Sequence, residues 1–196
     1  RIYTSIFNGI ILGEYAPDQV INEKGLMEKF HVSRAPIREA LIELCNENVL
    51  YSIPYYGYKI TPLTDEDVAN VKAYRCVMEC GFMRDNWDKL TSDVLDNMDR
   101  LYIKNATAET DAISHWNENI DFHLAFFQIY GNQYAYQNLR SAMSLQTRAY
   151  ALTRWNEWHS SFFHDVPEFH MPILEAIREN EQEKAISLLR ADIISI

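Results

Sequence analysis

The stretch from Ser33 to Asn48 narrows most sharply what this chain can fold into. Ser33 is a favourable N-cap, because its hydroxyl can accept one of the orphan backbone N–H groups of a first helical turn. Pro36 falls inside that first turn, where its missing N–H costs little. Ile37, Ala40, Leu41 and Leu44 then recur at i, i+3, i+4 and i+7, which places them on one apolar stripe. Asn48 stands where a left-handed residue ends a helix, and Asn tolerates that conformation. Upstream, Leu26 and Phe30 mark the inward face of a helix from about Glu23 to Phe30, and His31-Val32 leaves room only for a tight turn. Further upstream, Ile2, Ile6 and Ile10 repeat every four residues and Gly13 stops them, which predicts another short helix, followed by a turn at Ala16-Pro17-Asp18.

After Asn48 the period changes. Leu50-Tyr51-Ser52-Ile53 and Tyr58-Lys59-Ile60-Thr61 are strand-like, and Pro54-Tyr55-Tyr56-Gly57 between them is a turn carrying a glycine. Three helices and a small hairpin outline a winged helix-turn-helix. Thr64-Asp65-Glu66-Asp67 then matches a capping box ahead of a long apolar-periodic region with no strand signal. N-caps are expected at Ser92 and Thr110, and breaks near Gly131-Asn132 and Val166-Pro167, which leaves six or seven helices. The expected fold class is mostly α. A winged helix-turn-helix DNA-binding domain occupies 1–63, and an antiparallel all-helical bundle, the effector- and metal-binding domain, occupies 64–196.

The formal charge of −10 argues at first against nucleic acid, but its distribution removes the objection. Residues 1–63 hold six Lys/Arg and seven Asp/Glu, whereas 64–196 hold twelve and twenty-one. A near-neutral first part can still present a local basic face. No apolar run is long enough to span a bilayer, and no signal peptide is visible, so no membrane partner is expected. The chain opens on Arg1 in an already helical pattern, which suggests that a few residues precede it. Three cysteines, Cys45, Cys76 and Cys80, do not make a disulfide framework and fit a reducing cytoplasm. Cys76 and Cys80, four apart on one helix, read as buried small hydrophobes or as metal ligands.

On the helix that starts after Ser33, Arg34 and Arg38 lie one turn apart, off the apolar stripe and near the N-terminal end. A recognition helix presents side chains to the major groove from there. Arginine forks to guanine or pairs with phosphate, and the helix N-terminus offers backbone N–H groups to a phosphate. Lys24, Lys29 and Lys59 can add backbone contacts, and a wing around Tyr55, Tyr56 and Gly57 can reach the minor groove. The plainer alternative is a pair of solvated arginines, with Arg38 paired to a neighbouring carboxylate.

Ser33-Arg34-Ala35-Pro36-Ile37-Arg38-Glu39-Ala40-Leu41 closely resembles the S-R-T-P-V-R-E-A-L recognition-helix signature of the GntR family of bacterial regulators. Gly13 to Val20 is similar to that family's G-x-x-x-P-G-x-x-L stretch, with Asp18 in place of a glycine, and Leu26 to Val32 matches its second helix and turn. Asn48-Val49 replaces the usual Gly-Leu. The resemblance implies that Ser33, Arg34 and Arg38 face operator DNA, that Gly57 lies close to the groove, and that the protein works as a homodimer. The second domain resembles the FadR-like branch, whose all-helical (FCD-type) bundle binds a small effector, often a carboxylate, and in many members a divalent metal. By that resemblance His123, in Phe122-His123 ahead of Gly131-Asn132, takes the first histidine position, and Asn119 stands where the family has Asp. His170, in Glu168-Phe169-His170, takes the second. Asp192 occupies the place of the third histidine. Two imidazoles, one carboxylate and one amide oxygen suit Zn²⁺, Mn²⁺ or Ni²⁺. The alternative is a satisfied polar core or an effector pocket without metal.

Arg75 and Glu79 resemble the family's R-x-x-x-E pattern. Arg75 either pairs with Glu79 at i, i+4 or faces an anionic effector. Arg148 is a second effector candidate. His115, His159 and His164 carry no motif and read as surface or loop residues. A metal-dependent enzyme built on the helical domain is the rival from a different class. It lacks a dedicated base or nucleophile motif and leaves the DNA-binding half unexplained.

Overall fold

The computed structural model describes residues 2–105, 112–153 and 169–195, with side chains for 2–100, 117–149 and 169–195. The chain forms two compact units: Arg1–Asp65 with Leu145–Trp155, and Glu66–Ser144 with Asn156–Ile196.

The first unit opens with α1 (Ile2–Ile11), α2 (Glu23–Phe30) and α3 (Arg34–Asn46). The four-residue repeat of α1 buries Ile6 and Ile10, and the chain leaves through left-handed Gly13. The expected bounds of α2 hold, with His31 left-handed at its C-cap. Its start is fixed by a residue the sequence reading passed over: Asn22 Oδ1 accepts the Gly25 N–H at 2.8 Å. Ser33 occupies the N-cap of α3 but its side chain makes no capping hydrogen bond, contrary to expectation. Ile37, Ala40, Leu41 and Leu44 are buried as the stripe predicts, and Asn48 is left-handed at φ 55. Antiparallel β1 (Leu50–Ile53) and β2 (Gly57–Ile60) follow, with Leu50 opposite Ile60 and Ile53 opposite Gly57.

Gly57 therefore lies in the strand, not in the turn. The left-handed turn position is taken by Tyr55, at φ 69. The reason is packing: Ile21 bridges to Tyr58, with N–H···O contacts of 2.8 Å in both directions. A Cβ on Gly57 would sit 2.5 Å from the Ile21 carbonyl oxygen, on a backbone at φ 137. The core of this unit gathers Ile6, Ile10, Ile21, Leu26, Leu41 and Leu50.

The second unit draws on α4 (Asp65–Asp85), a 3₁₀ turn (Trp87–Lys89), α5 (Ser92–Asn105), α6 (Ala112–Tyr130), α7 (Gln133–Thr153), whose part from Leu145 onward belongs to the first unit, α8 (His170–Arg178) and α9 (Gln182–Ser195). The capping box at Thr64 is followed directly by α4. Helix α5 starts at Ser92 itself, with Thr91 O accepting from Val94 and Leu95 at its head. The break at Gly131-Asn132 separates α6 from α7, where Asn132 Oδ1 accepts the Ala135 N–H at 2.9 Å. Thr110 and Val166-Pro167 lie outside the described residues. The core packs Met83, Leu95, Phe126, Phe127, Leu139 and Leu174, among others. Each such buried side chain contributes about 1.5–3 kcal/mol. That surplus matters, because this core also encloses charged groups. Among the described residues no helix is long and apolar enough to cross a membrane.

Candidate metal centre and nucleic-acid interface

Three helices of the second unit converge on one buried polar cluster. Helix α6 brings Asn119 and His123, one turn apart. Helix α8 brings His170 at its first residue, and α9 brings Asp192. His123 is fully buried, Asp192 and Asn119 nearly so, and His170 partly. Ligand atoms of His123, His170 and Asp192 all lie within 4.8 Å of one another. His170 Nε2 is 3.1 Å from Asn119 Oδ1 and 3.9 Å from Asp192 Oδ1. The His170 ring stacks on Phe122 at a centroid distance of 3.8 Å and an interplanar angle of 13°, which fixes its direction. The cluster thus joins all four residues that the resemblance singled out.

The contact between His123 Nε2 and Asp192 Oδ2 carries the chemistry. The atoms are 2.9 Å apart, close enough for the imidazole and the carboxylate to pair directly. Such a direct pair offsets part of the cost of burying both groups, and it lies beside His170, the third candidate ligand with a charged or ring donor. A divalent ion would take the place of the proton between them. With bonds of about 2.1 Å to a divalent ion, neighbouring ligand atoms stand about 3.0–3.4 Å apart; the spacings here, 2.9, 3.1 and 3.9 Å, lie around that range. Two imidazoles, a carboxylate and an amide oxygen therefore fit such an ion.

The electrostatics extend beyond the four. Glu79 of α4 accepts from Arg75 Nε at 2.7 Å and from His123 Nδ1 at 2.6 Å. Burial would push the Glu79 carboxyl up, but Arg75 and His123 hold it down to about 2. Burial would likewise lower His123, yet the carboxylates of Glu79 and Asp192 hold it above its usual value. Asp192 is held low by His123 and His170 against its own burial. Charges at this depth rarely add net stability, so the cluster needs another reason to exist.

The i, i+4 pairing of Arg75 with Glu79 is present. Arg148 belongs to the first unit, where its Nη1 donates to the Asn48 carbonyl at 2.6 Å. Cys76 and Cys80 are buried, and burial pushes the Cys80 thiol up to about 11, which suits a small hydrophobe better than a thiolate ligand. The side chains of His115, His159 and His164 lie outside those described. Sequence reasoning missed Glu79 as a partner of His123 and Phe122 as the platform under His170. The Arg75–Glu79 spacing hinted at a pair but not at its third member.

In the first unit, Arg34 and Arg38 are exposed on α3, and so is Ser33. Arg34 Nε pairs with the carboxylate of Glu23, the first residue of α2. The alternative of an arginine paired to a neighbouring carboxylate is thus met at Arg34 and not at Arg38 among the described residues. Tyr58 marks the same neighbourhood: burial and then Glu23 raise its hydroxyl, while Arg38 and Arg34 pull it down. Lys24 is exposed and 3.9 Å from Glu28, and Lys59 sits opposite Tyr51 on the hairpin. Lys29 is engaged by Glu14 at 2.6 Å and Tyr15 at 3.1 Å. At the hairpin tip, Tyr55 and Tyr56 project into solvent. Gly57, half-buried against Ile21, already has an internal reason to be glycine.

A winged helix-turn-helix joined to a helical domain with a buried polar centre defines the class of ligand-responsive, DNA-binding transcriptional regulators. Comparison with known proteins gives the particular family. The family model described as "Bacterial regulatory proteins, gntR family" matches residues 1–60, and the FCD domain matches residues 71–194. The chain belongs to the GntR family and carries an FCD effector-binding domain. It is 21% identical to the HTH-type transcriptional repressor GlaR of Escherichia coli, over 98% of this chain and 91% of that protein. It is 24% identical to the gluconate operon transcriptional repressor of Bacillus licheniformis, over 96% and 79%. Its fold is similar to that of E. coli McbR/YncC, with a TM-score of 0.79 at 17% identity, covering 98% of this chain and 92% of that one. A GntR regulator from Rhodococcus sp. RHA1 gives a TM-score of 0.70 at 20% identity, covering 99% and 92%.

Proposed function

We propose that this regulator is a cytoplasmic, homodimeric repressor whose operator affinity is set by a small carboxylate bound at a divalent-metal centre. Residues 1–63 read the operator, and residues 64–196 sense the effector. Arg34 and Arg38, with Ser33, Lys24, Lys59 and the wing at Gly57, make the DNA face. The names of GlaR and of the gluconate operon repressor support repression as the direction of control. The regulator relatives also support a non-enzymatic role over metal-dependent catalysis.

The observation that carries the sensing half is the gathering of ligand atoms of His123, His170 and Asp192 within 4.8 Å of one another, with Asn119 Oδ1 3.1 Å from His170 Nε2. Asn119, His123, His170 and Asp192 would hold Zn²⁺, Mn²⁺ or Ni²⁺, which would supply positive charge for an anionic effector. Of the two further candidates for effector contact, Arg75 lies in the same unit as this centre and Arg148 in the first unit. The effector then acts by preferring one of two arrangements of the dimer that differ in DNA affinity. Elemental analysis of the purified protein tests the centre. About one ion per chain is expected, and its loss in His123→Ala/His170→Ala. Unchanged metal content in that variant would refute the site. Weakening of operator binding by a screened carboxylate would support the regulatory half, and turnover of a small molecule by the protein would overturn it.

A further inference from the structure

Behind the four candidate ligands stands a pair of buried charges that the metal centre does not itself use. Arg75 and Glu79 lie one turn apart on α4, their side chains 0% and 2% exposed. Both oxygens of Glu79 are committed: Oε1 accepts from Arg75 Nε at 2.7 Å, and Oε2 faces His123 Nδ1 at 2.6 Å. An ionised carboxylate only accepts hydrogen bonds, so the ring nitrogen facing it carries the proton. In a neutral imidazole the lone pair is then on Nε2. That is the atom 2.9 Å from Asp192 Oδ2, on the side of the ring where the other candidate ligands gather. Arg75 in turn fixes which way the carboxylate points, since its own side chain is enclosed.

We propose that Glu79, locked by Arg75, is the positioning carboxylate of this centre, holding His123 as the Nδ1–H form with its bare Nε2 aimed at the ion. The inference rests on the metal reading above. It also assigns Arg75 to the scaffold of the site, one step behind the ligand. A purely structural Arg75–Glu79 pair would neutralise two buried charges without any effect on the ring of His123, and that difference can be measured.

The test uses the full chain with Co²⁺ alone as probe, followed by its visible absorption and by competition with a chelator. A second arm records ring-nitrogen NMR of ¹⁵N-histidine-labelled, chelator-treated protein at a pH where His123 is neutral. Glu79→Leu should weaken Co²⁺ binding about 10–100-fold, the range for loss of a carboxylate behind a histidine ligand. Glu79→Gln keeps an oxygen acceptor for Nδ1–H and should recover part of that loss. In the metal-free arm, His123 should be the Nδ1–H form in the wild type and shift toward Nε2–H in Glu79→Leu. Wild-type Co²⁺ affinity and spectrum in folded Glu79→Leu would overturn the inference while leaving the metal centre standing. Absence of Co²⁺ binding by the wild type would overturn the metal reading and the ion-facing half of the inference. The NMR arm would then decide the orienting half, which an unchanged tautomer in Glu79→Leu would refute.

Discussion

Arg34 cannot meet DNA without a cost that Arg38 does not bear. Its guanidinium pairs with Glu23, whereas Arg38 makes no ion pair among the described residues. The Arg34 side chain is 69% exposed and that of Glu23 18%, so this is a surface pair in water. Such pairs are worth about 0.2–1 kcal/mol. Contact of an arginine with a base or phosphate is worth about 1–3 kcal/mol. Glu23→Gln releases Arg34 and should therefore tighten DNA binding by about 1.4- to 5-fold. Arg38→Ala should weaken it by the full contact, and Arg34→Ala by the contact less the Glu23 pair. The assay is fluorescence anisotropy of a labelled duplex selected from a random library by the wild-type protein, at several salt concentrations. Glu23→Gln also removes a negative charge near the phosphates, so the gain has to be measured again in an Arg34→Ala background. There it should largely vanish, because the two residues are coupled. An equal gain with and without Arg34 would show that the ion pair restrains nothing. A loss of affinity in Glu23→Gln would show that Glu23 orients Arg34 for DNA, which would reverse the reasoning.

Other consequences follow from the same geometry. Gly57→Ala should cost about 2–4 kcal/mol, from a strained positive φ and a disturbed Ile21–Tyr58 bridge. Far-UV circular dichroism should show earlier thermal unfolding, and a wild-type melt would mean the glycine is kept for DNA instead. Asn22→Ala should lose about 1 kcal/mol of helix capping, whereas Ser33→Ala should be near neutral because its hydroxyl caps nothing. Chemical denaturation compares the two, and equal losses would contradict the caps described. Cys80, with its thiol raised from 9.0 to about 11 by burial and then by Cys76, should resist alkylation at pH 8 in the native protein and react on unfolding. Because the folded value is the higher one, the stability it carries is full below pH 9 and falls as pH rises from 9 toward 11. Rapid native labelling at Cys80 would refute its burial.

Much of the first unit was legible because its signals are local. Helix periodicity, the left-handed tolerance of Asn48 and the turn ahead of β2 depend on neighbours a few residues away. The errors there have non-local causes. The glycine assigned to the hairpin turn belongs to the strand, because Ile21 approaches from elsewhere in the chain. The cap expected at Ser33 is unused, while Asn22 supplies one. In the second unit, the spacing of Asn119 and His123 placed two donors on one helix face, and the family pattern supplied His170 and Asp192.

The sequence alone determined where the helices run, which faces are apolar, and that a helix begins after Ser33, since these follow from backbone propensity and side-chain period. Tertiary structure alone decided that Glu79 backs His123, that Phe122 carries His170, and that Glu23 holds Arg34. A hydrogen bond or ring stack between helices depends on the angle and depth at which they pack, and that is set by the whole core at once. The buried charges show this most clearly. As sequence, Arg75, Glu79, His123 and Asp192 are scattered polar residues. Their shared environment, with one histidine ring held between two carboxylates, exists only after three helices have closed around them.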